Sequence, residues 1–288
     1  MRGALLDSRG LLHVTGPTAG AFLDNLLTNN VSGLQPGHAA YAALLTPQGK
    51  IIVDMLASPI AGGFRLDAPA HLISDLTRRL TLYRLRSKIE IEDVSDRWQV
   101  AVLWGDGLLP EVDADIVSDP RLPALGRRAY LPAGAALPDG VTPLSAEHWH
   151  AHRIALGAPQ GGLDFVYGDA FPHEACLDQL NGVNFKKGCY VGQEVVSRME
   201  HRGTARTRVA PVLLDGLPPE VGAAVTAGDK TVGRMGSSAD GRGLALLRLD
   251  RAEEARAAGV PLIAGNAMLT IEKPAWARFA FPGETTAA

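Results

Sequence analysis

The chain has 288 residues, 46% hydrophobic and 20% charged, an ordinary globular balance at a length that points to two or three domains. A net charge of −3 excludes a general positive field for nucleic acid or an anionic membrane. Two cysteines, an acid at Asp7 ahead of any apolar run, and no apolar stretch near the ~20 residues of a membrane span predict a cytoplasmic protein with reduced thiols.

In chain order, Gly10–Val14 reads as a short strand, and Thr15-Gly16-Pro17 announces a helix with Phe22, Leu23, Leu26 and Leu27 at helical spacing. Thr28-Asn29-Asn30 closes it. Tyr41–Leu45 and Lys50–Ala57 form a hairpin about Thr46-Pro47-Gln48-Gly49, and Phe64–Asp67 is a further strand. Leu72, Ile73, Leu76, Leu80 and Tyr83 mark a second amphipathic helix, and Lys88–Val94 alternates as a half-buried strand. Gln99–Trp104 opens a segment rich in proline, glycine and alanine that runs to Pro143. Ser145 and Gly157 bracket a third helix. After Thr204 five short strands are expected: Arg208–Leu214, Lys230–Met235, Gly243–Leu249, Val260–Ile263 and Met268–Ile271, a small barrel or sandwich. The tail Glu284–Ala288 reads as frayed. The fold class is therefore α+β with mixed or antiparallel sheet. The domains divide as 1–95 with a return segment 145–203, then 96–144, then 204–284.

The densest chemistry lies in Phe185-Lys186-Lys187-Gly188-Cys189-Tyr190-Val191-Gly192-Gln193-Glu194. Two glycines so close together imply turns or close backbone approach. Lys186, Lys187 and a helix expected to start near Gln193 favour a thiolate at Cys189. The alternative is a buried cysteine packing as a small hydrophobe. Cys176 has apolar neighbours and reads as a packing residue. Two cysteines cannot supply a four-ligand zinc site or an all-cysteine cluster from one chain, so no metal site is assigned. His148 and His152 lie one turn apart but lack the glutamate of a His-Glu-x-x-His site, and read as a solvated helix face. Glu194 and Arg198 read as a surface pair. Arg84, Arg86 and Lys88, like Arg202, Arg206 and Arg208, form basic alternations suited either to a carboxylate ligand or to protected strand edges. Phosphate-loop, dinucleotide and nucleophile-elbow motifs are absent.

Lys187-Gly188-Cys189-Tyr190-Val191-Gly192-Gln193-Glu194 resembles the Lys-Gly-Cys-Tyr-x-Gly-Gln-Glu signature of the YgfZ family. These are tetrahydrofolate-binding proteins of iron–sulfur cluster assembly or repair, related to the glycine-cleavage T-protein, an aminomethyltransferase. The resemblance extends to Phe171-Pro172-His173-Glu174, Leu177-Asp178, Arg198 and Arg202-Gly203. It also takes in Leu27-Thr28-Asn29, Tyr83–Lys88, Gly233–Ser237 and Ala245–Arg248, nearly the whole chain. It implies a T-protein-like three-domain ring with a central channel and a C-terminal β-barrel.

The resemblance also implies a monomeric accessory factor for [4Fe-4S] enzymes that binds folate and works with cluster assembly proteins and client enzymes. Cys189 would be the reactive or cluster-facing thiol, with Lys187 as its activator, favouring the thiolate. Gly188, Tyr190, Gly192, Gln193 and Glu194 would shape the site, and Asp54, Arg86, Glu174, Arg206 and Arg208 would serve the folate. Of the T-protein's two adjacent aspartates only the second has a counterpart: Val53 stands before Asp54. Its folate-contacting glutamate falls on Ala155. Both departures speak against aminomethyl transfer. A folate-dependent one-carbon transferase or demethylase, and a partner-binding scaffold, are the rival readings.

Overall fold

The structure is a computed structural model that describes residues 1–107, 115–203 and 205–283. It divides into two compact units, Met1–Trp149 with Leu180–Gln193, and His150–Gln179 with the chain from Glu194 onward.

The first unit contains β1 (Arg2–Leu5), β2 (Arg9–Thr15), α1 (Ala19–Asp24), β3 (Ala40–Leu45), β4 (Ile51–Ile60) and β5 (Gly63–Pro69). It continues with α2 (Ile73–Arg84), β6 (Glu90–Asp93), β7 (Trp98–Trp104), β8 (Asp115–Ser118), β9 (Arg127–Pro132) and β10 (Thr142–Pro143). The strands make two five-stranded sheets, ordered β3-β4-β5-β2-β6 and β10-β1-β7-β9-β8. Period-two alternation divides β4 between two environments. Val53, Met55 and Ala57 join Leu12, Leu23, Leu66, Leu76 and Leu80 in the core beneath the helices. On the other face of that sheet Leu11 clusters with Val100, Val117 and Tyr130 of the second sheet.

The segment expected over 96–144 supplies β7 to β10, but β1 pairs with both β7 and β10, so residues near the start complete its sheet. Nothing in the composition of Arg2-Gly3-Ala4-Leu5 announces a strand.

Two helices, α3 (Ala146–Ala155) and α4 (Gln193–Arg202), carry the chain from the first unit into the second. There β11 (Thr207–Asp215), β12 (Ala224–Ala227), β13 (Lys230–Ala239) and β14 (Arg242–Arg248) precede α5 (Leu249–Ala257), β15 (Leu262–Ala264) and β16 (Ala267–Ile271). The strands close a barrel in the order β11-β14-β13-β12-β15-β16, filled by Val212, Val225, Val232, Met235, Leu247 and Leu269. The expected α+β class with a C-terminal barrel is what the chain adopts. The barrel needs a sixth strand beyond the five expected, since β12 bridges β13 and β15. Thr204 and the tail 284–288 lie outside the described residues.

Candidate functional site

The signature segment is seated on the chain that follows α1. Thr28, fully buried, donates from its hydroxyl to the Gly182 carbonyl at 2.6 Å and accepts the Ala43 amide at 2.8 Å. Asn29 donates to the Asn181 carbonyl at 2.8 Å, and the Asn184 amide donates to the Thr28 carbonyl at 2.9 Å. Lys187 completes the seat. Its Nζ donates to the carbonyls of Asp24, Leu27 and Asn29 at 2.6, 2.5 and 3.3 Å and lies 5.0 Å from the Tyr190 ring centroid. An ammonium has three N–H groups, and each finds an oxygen. Burial draws the Lys187 amine down to about 8, against the opposing pull of Asp24. Lys187 is therefore not the expected activator of the thiol. Its charge is buried on backbone carbonyls, and it fastens the loop.

The two motif glycines differ. Gly192 has φ +81, and a Cβ there would lie 2.5 Å from the Thr46 carbonyl oxygen and 3.1 Å from Gly49 Cα, so only glycine lets the loop meet the β3–β4 turn. Gly188 has no such constraint: a Cβ would meet nothing within 4 Å. Between them Tyr190 is buried, which pushes its phenol up to about 12. Gln193 begins α4, its amide donating to the Tyr190 carbonyl at 3.3 Å. Glu194 is exposed and pairs with Arg198 at 2.6 Å on the helix surface, as the i,i+4 spacing predicts.

Cys189 is exposed and free, which removes the reading of it as a packing residue. Cys176 is the reverse case. It is fully buried, its thiol donates to the Val209 carbonyl at 3.4 Å, and burial pushes it up to about 12. One accessible thiol therefore remains, on a loop fixed at both ends by Lys187 and Gly192.

Asp54 lies on the β4 face opposite Val53, nearly buried, and accepts the Tyr41 hydroxyl at 2.9 Å. Burial, reinforced by Asp54, holds Tyr41 far above an ordinary phenol. The Tyr41 ring carries the Arg121 guanidinium at 5.6 Å, and Arg121 in turn grips Asp119 through Nε and Nη2 at 3.0 and 2.7 Å. Arg128 lies 3.8 Å from Asp119 and 3.9 Å from Asp67, which Arg9 bonds at 2.6 Å. Arg65 stacks on Tyr130 at 4.2 Å and reaches Asp115 at 2.8 Å. The first unit thus holds a buried polar layer of which sequence reasoning found only Asp54. One signal was present: Phe64-Arg65-Leu66-Asp67-Ala68 alternates charge with apolar residues, but alternation normally means a wet face.

Glu174, Arg206 and Arg208 belong to the second unit. Glu174 accepts the Phe171 amide at 2.8 Å and, through its carbonyl, the Val209 amide at 2.8 Å. Arg208 is buried, bound to both Asp178 oxygens at 2.9 and 3.0 Å and to the His173 carbonyl at 2.9 Å, and stacked 4.1 Å from Phe279. Its fork is committed to that pair, which corrects the expectation that it serves the folate. Arg206 is exposed, 4.0 Å from Asp250. Arg86 is exposed in the turn after α2, in the first unit. His173, Asp178 and Glu200 bring ligand atoms within 4.8 Å, with His173 Nε2 to Glu200 at 3.1 Å. Asp178 is already paired with Arg208, so the carboxylate that a cation would need is engaged in an ion pair.

Residues 6–107 match the family model described as the GCVT N-terminal domain, and residues 206–279 match that of the CAF17 C-terminal beta-barrel domain. The human mitochondrial iron–sulfur cluster assembly factor IBA57 is 36% identical over 270 residues, which cover 84% of this chain and 76% of that protein. A mitochondrial IBA57 homologue of Neurospora crassa is 35% identical over 243 residues, 75% of this chain; the match spans 55% of the fungal protein. The chain thus spans little more than half of that relative's length. The glycine cleavage system aminomethyltransferase T from Bartonella henselae superposes with a TM-score of 0.74 at 17% identity, covering 97% of this chain and 87% of that one. The cytoplasmic expectation is overturned here, since these IBA57 relatives are named mitochondrial.

Proposed function

From the premise that this chain belongs to the IBA57 family of iron–sulfur cluster assembly factors, we propose that it assists cluster assembly or repair through the thiol of Cys189. The observation that carries this reading is the contrast between the two sulfurs. One is sealed in packing; the other is exposed on a loop anchored by buried hydrogen bonds. The thiolate is the form of cysteine that ligates iron and attacks electrophiles, and an exposed thiol on a rigid loop is positioned for either. Cluster carriers and client enzymes are the partners of this reading.

Tetrahydrofolate is the small-molecule ligand of the proposal, supported by the YgfZ-like signature and the GCVT N-terminal domain match. Asp54 suits it chemically: a pteridine carries N–H donors, and a carboxylate accepts them. Asp54 would hold the ring, with Tyr41 fixing the carboxylate orientation. Folate would supply a one-carbon carrier, but no transfer step is proposed. Val53 faces the apolar core, so an acid there would be buried without a partner, and Ala155 supplies no second carboxylate.

In cells lacking the protein, Cys189→Ala is expected to accumulate as folded protein and fail to restore [4Fe-4S] enzyme activity; full restoration would remove the thiol from the mechanism. Calorimetry with tetrahydrofolate tests the ligand. Binding that weakens at least tenfold in Asp54→Asn supports it, and no heat with the parent protein refutes it.

A further inference from the structure

Four non-glycine residues among those described have positive φ: Leu85, Cys176, Asn181 and Asp240. Asparagine and aspartate tolerate this region, and Cys176 is buried with a bonded sulfur. Leu85 has neither excuse. Its backbone stands at φ 45, ψ −107, and its side chain is 87% exposed. The Ser87 amide donates to the Arg84 carbonyl at 2.8 Å, so Leu85 occupies the first central position of a tight turn of the II′ type, where glycine is the preferred residue. The fold would be better served by glycine, and leucine gains no internal packing in return.

The surroundings share this character. Leu82 is 66% exposed and Tyr83 is 37% exposed. Arg84, Arg86 and Lys88 are exposed and have no acidic partner among the described residues. No acid occurs between Asp75 and Glu90, and Asp75 is already held by Arg78 and Arg79. Protruding apolar side chains within an uncompensated positive rim have the make-up of an interface centre, since arginine and tyrosine dominate binding hot spots and charge complementarity selects the partner.

We propose that the turn after α2 docks a partner protein whose acidic surface surrounds an apolar pocket that receives Leu85. The patch is a short bent turn on a chain of net charge −3, which disfavours an anionic lipid surface as the occupant. The proposal does not depend on Cys189 or on folate.

The test places p-benzoylphenylalanine at Leu82, irradiates cells, and sequences the adduct, with the same probe at exposed Leu217 of the barrel as control. The expected result is a protein adduct on an Asp/Glu-bearing peptide, absent from the control and reduced at least tenfold by Leu85→Gly. Purified Leu85→Gly is expected to melt about 2–4 °C higher than the parent, because backbone strain is relieved. The proposal is overturned by no adduct, by an adduct to lipid or to a second copy, or by an adduct that Leu85→Gly leaves intact. A lower melting temperature for Leu85→Gly overturns it too.

Discussion

Lys187→Met removes the ammonium while keeping an unbranched stem of similar length. The variant leaves the carbonyls of Asp24, Leu27 and Asn29 facing a methyl group. Hydrogen bonds from a charged donor contribute about 1.5–3 kcal/mol each, so three would total roughly 4.5–9. Burial offsets part of this. The fall of the amine from 10.5 to about 8 corresponds to roughly 3 kcal/mol at about 1.4 per pH unit. A net loss of about 1–6 kcal/mol remains, concentrated where the loop is seated. Native-state hydrogen exchange on the amides of Phe185–Val191 is the appropriate assay, because local opening is read there directly. Exchange is expected to quicken by at least about fivefold in the variant. Unchanged protection, with urea stability within about 0.5 kcal/mol of the parent, would refute the clamp.

Gly192→Ala is expected to cost about 2–4 kcal/mol in urea denaturation, combining positive-φ strain with collision against the Thr46 carbonyl, whereas Gly188→Ala should fall within about 0.5 kcal/mol. Equal effects would remove the distinction between them. Iodoacetamide should alkylate one thiol in the native protein and two in urea, with mass mapping to Cys189 first; native labelling of Cys176 would contradict its burial. The Lys187 pKa is lower in the folded chain than in the unfolded one, so the unfolded chain holds more protons between about pH 8 and 10.5. The parent should therefore gain stability over Lys187→Met as pH rises through that window, and parallel pH profiles would disprove the shift.

Much of the architecture was readable from residues alone. Helical spacing in Ile73, Leu76 and Leu80 located α2, and the signature located the loop. What eluded the sequence was direction. Lys187 sits two residues from Cys189, yet its four-carbon stem ends on carbonyls about 160 residues earlier, and no local pattern records that. Arg208 lies on an alternating basic strand that suits a ligand, but Asp178 waits thirty positions away. The buried layer at Arg65, Asp67 and Arg128 follows from a second sheet covering a face that its charges mark as wet. β12 went unseen because Ala224-Val225-Thr226-Ala227 is too short for a period, and barrel closure alone requires it.

The seat of the signature loop also has a consequence for biosynthesis. Its receptor, Asp24 to Asn29, leaves the ribosome first, and Asn181 to Lys187 follow about 155 residues later. The first unit is completed only by Leu180–Gln193, after His150–Gln179 of the other unit has been made. A chain halted at Trp149 would present the Asp24, Leu27 and Asn29 carbonyls without the Lys187 donor, and the Thr28 hydroxyl without the Gly182 carbonyl that accepts it. Neither body is a contiguous stretch of gene, so dissecting this protein for expression requires rejoining segments rather than cutting once.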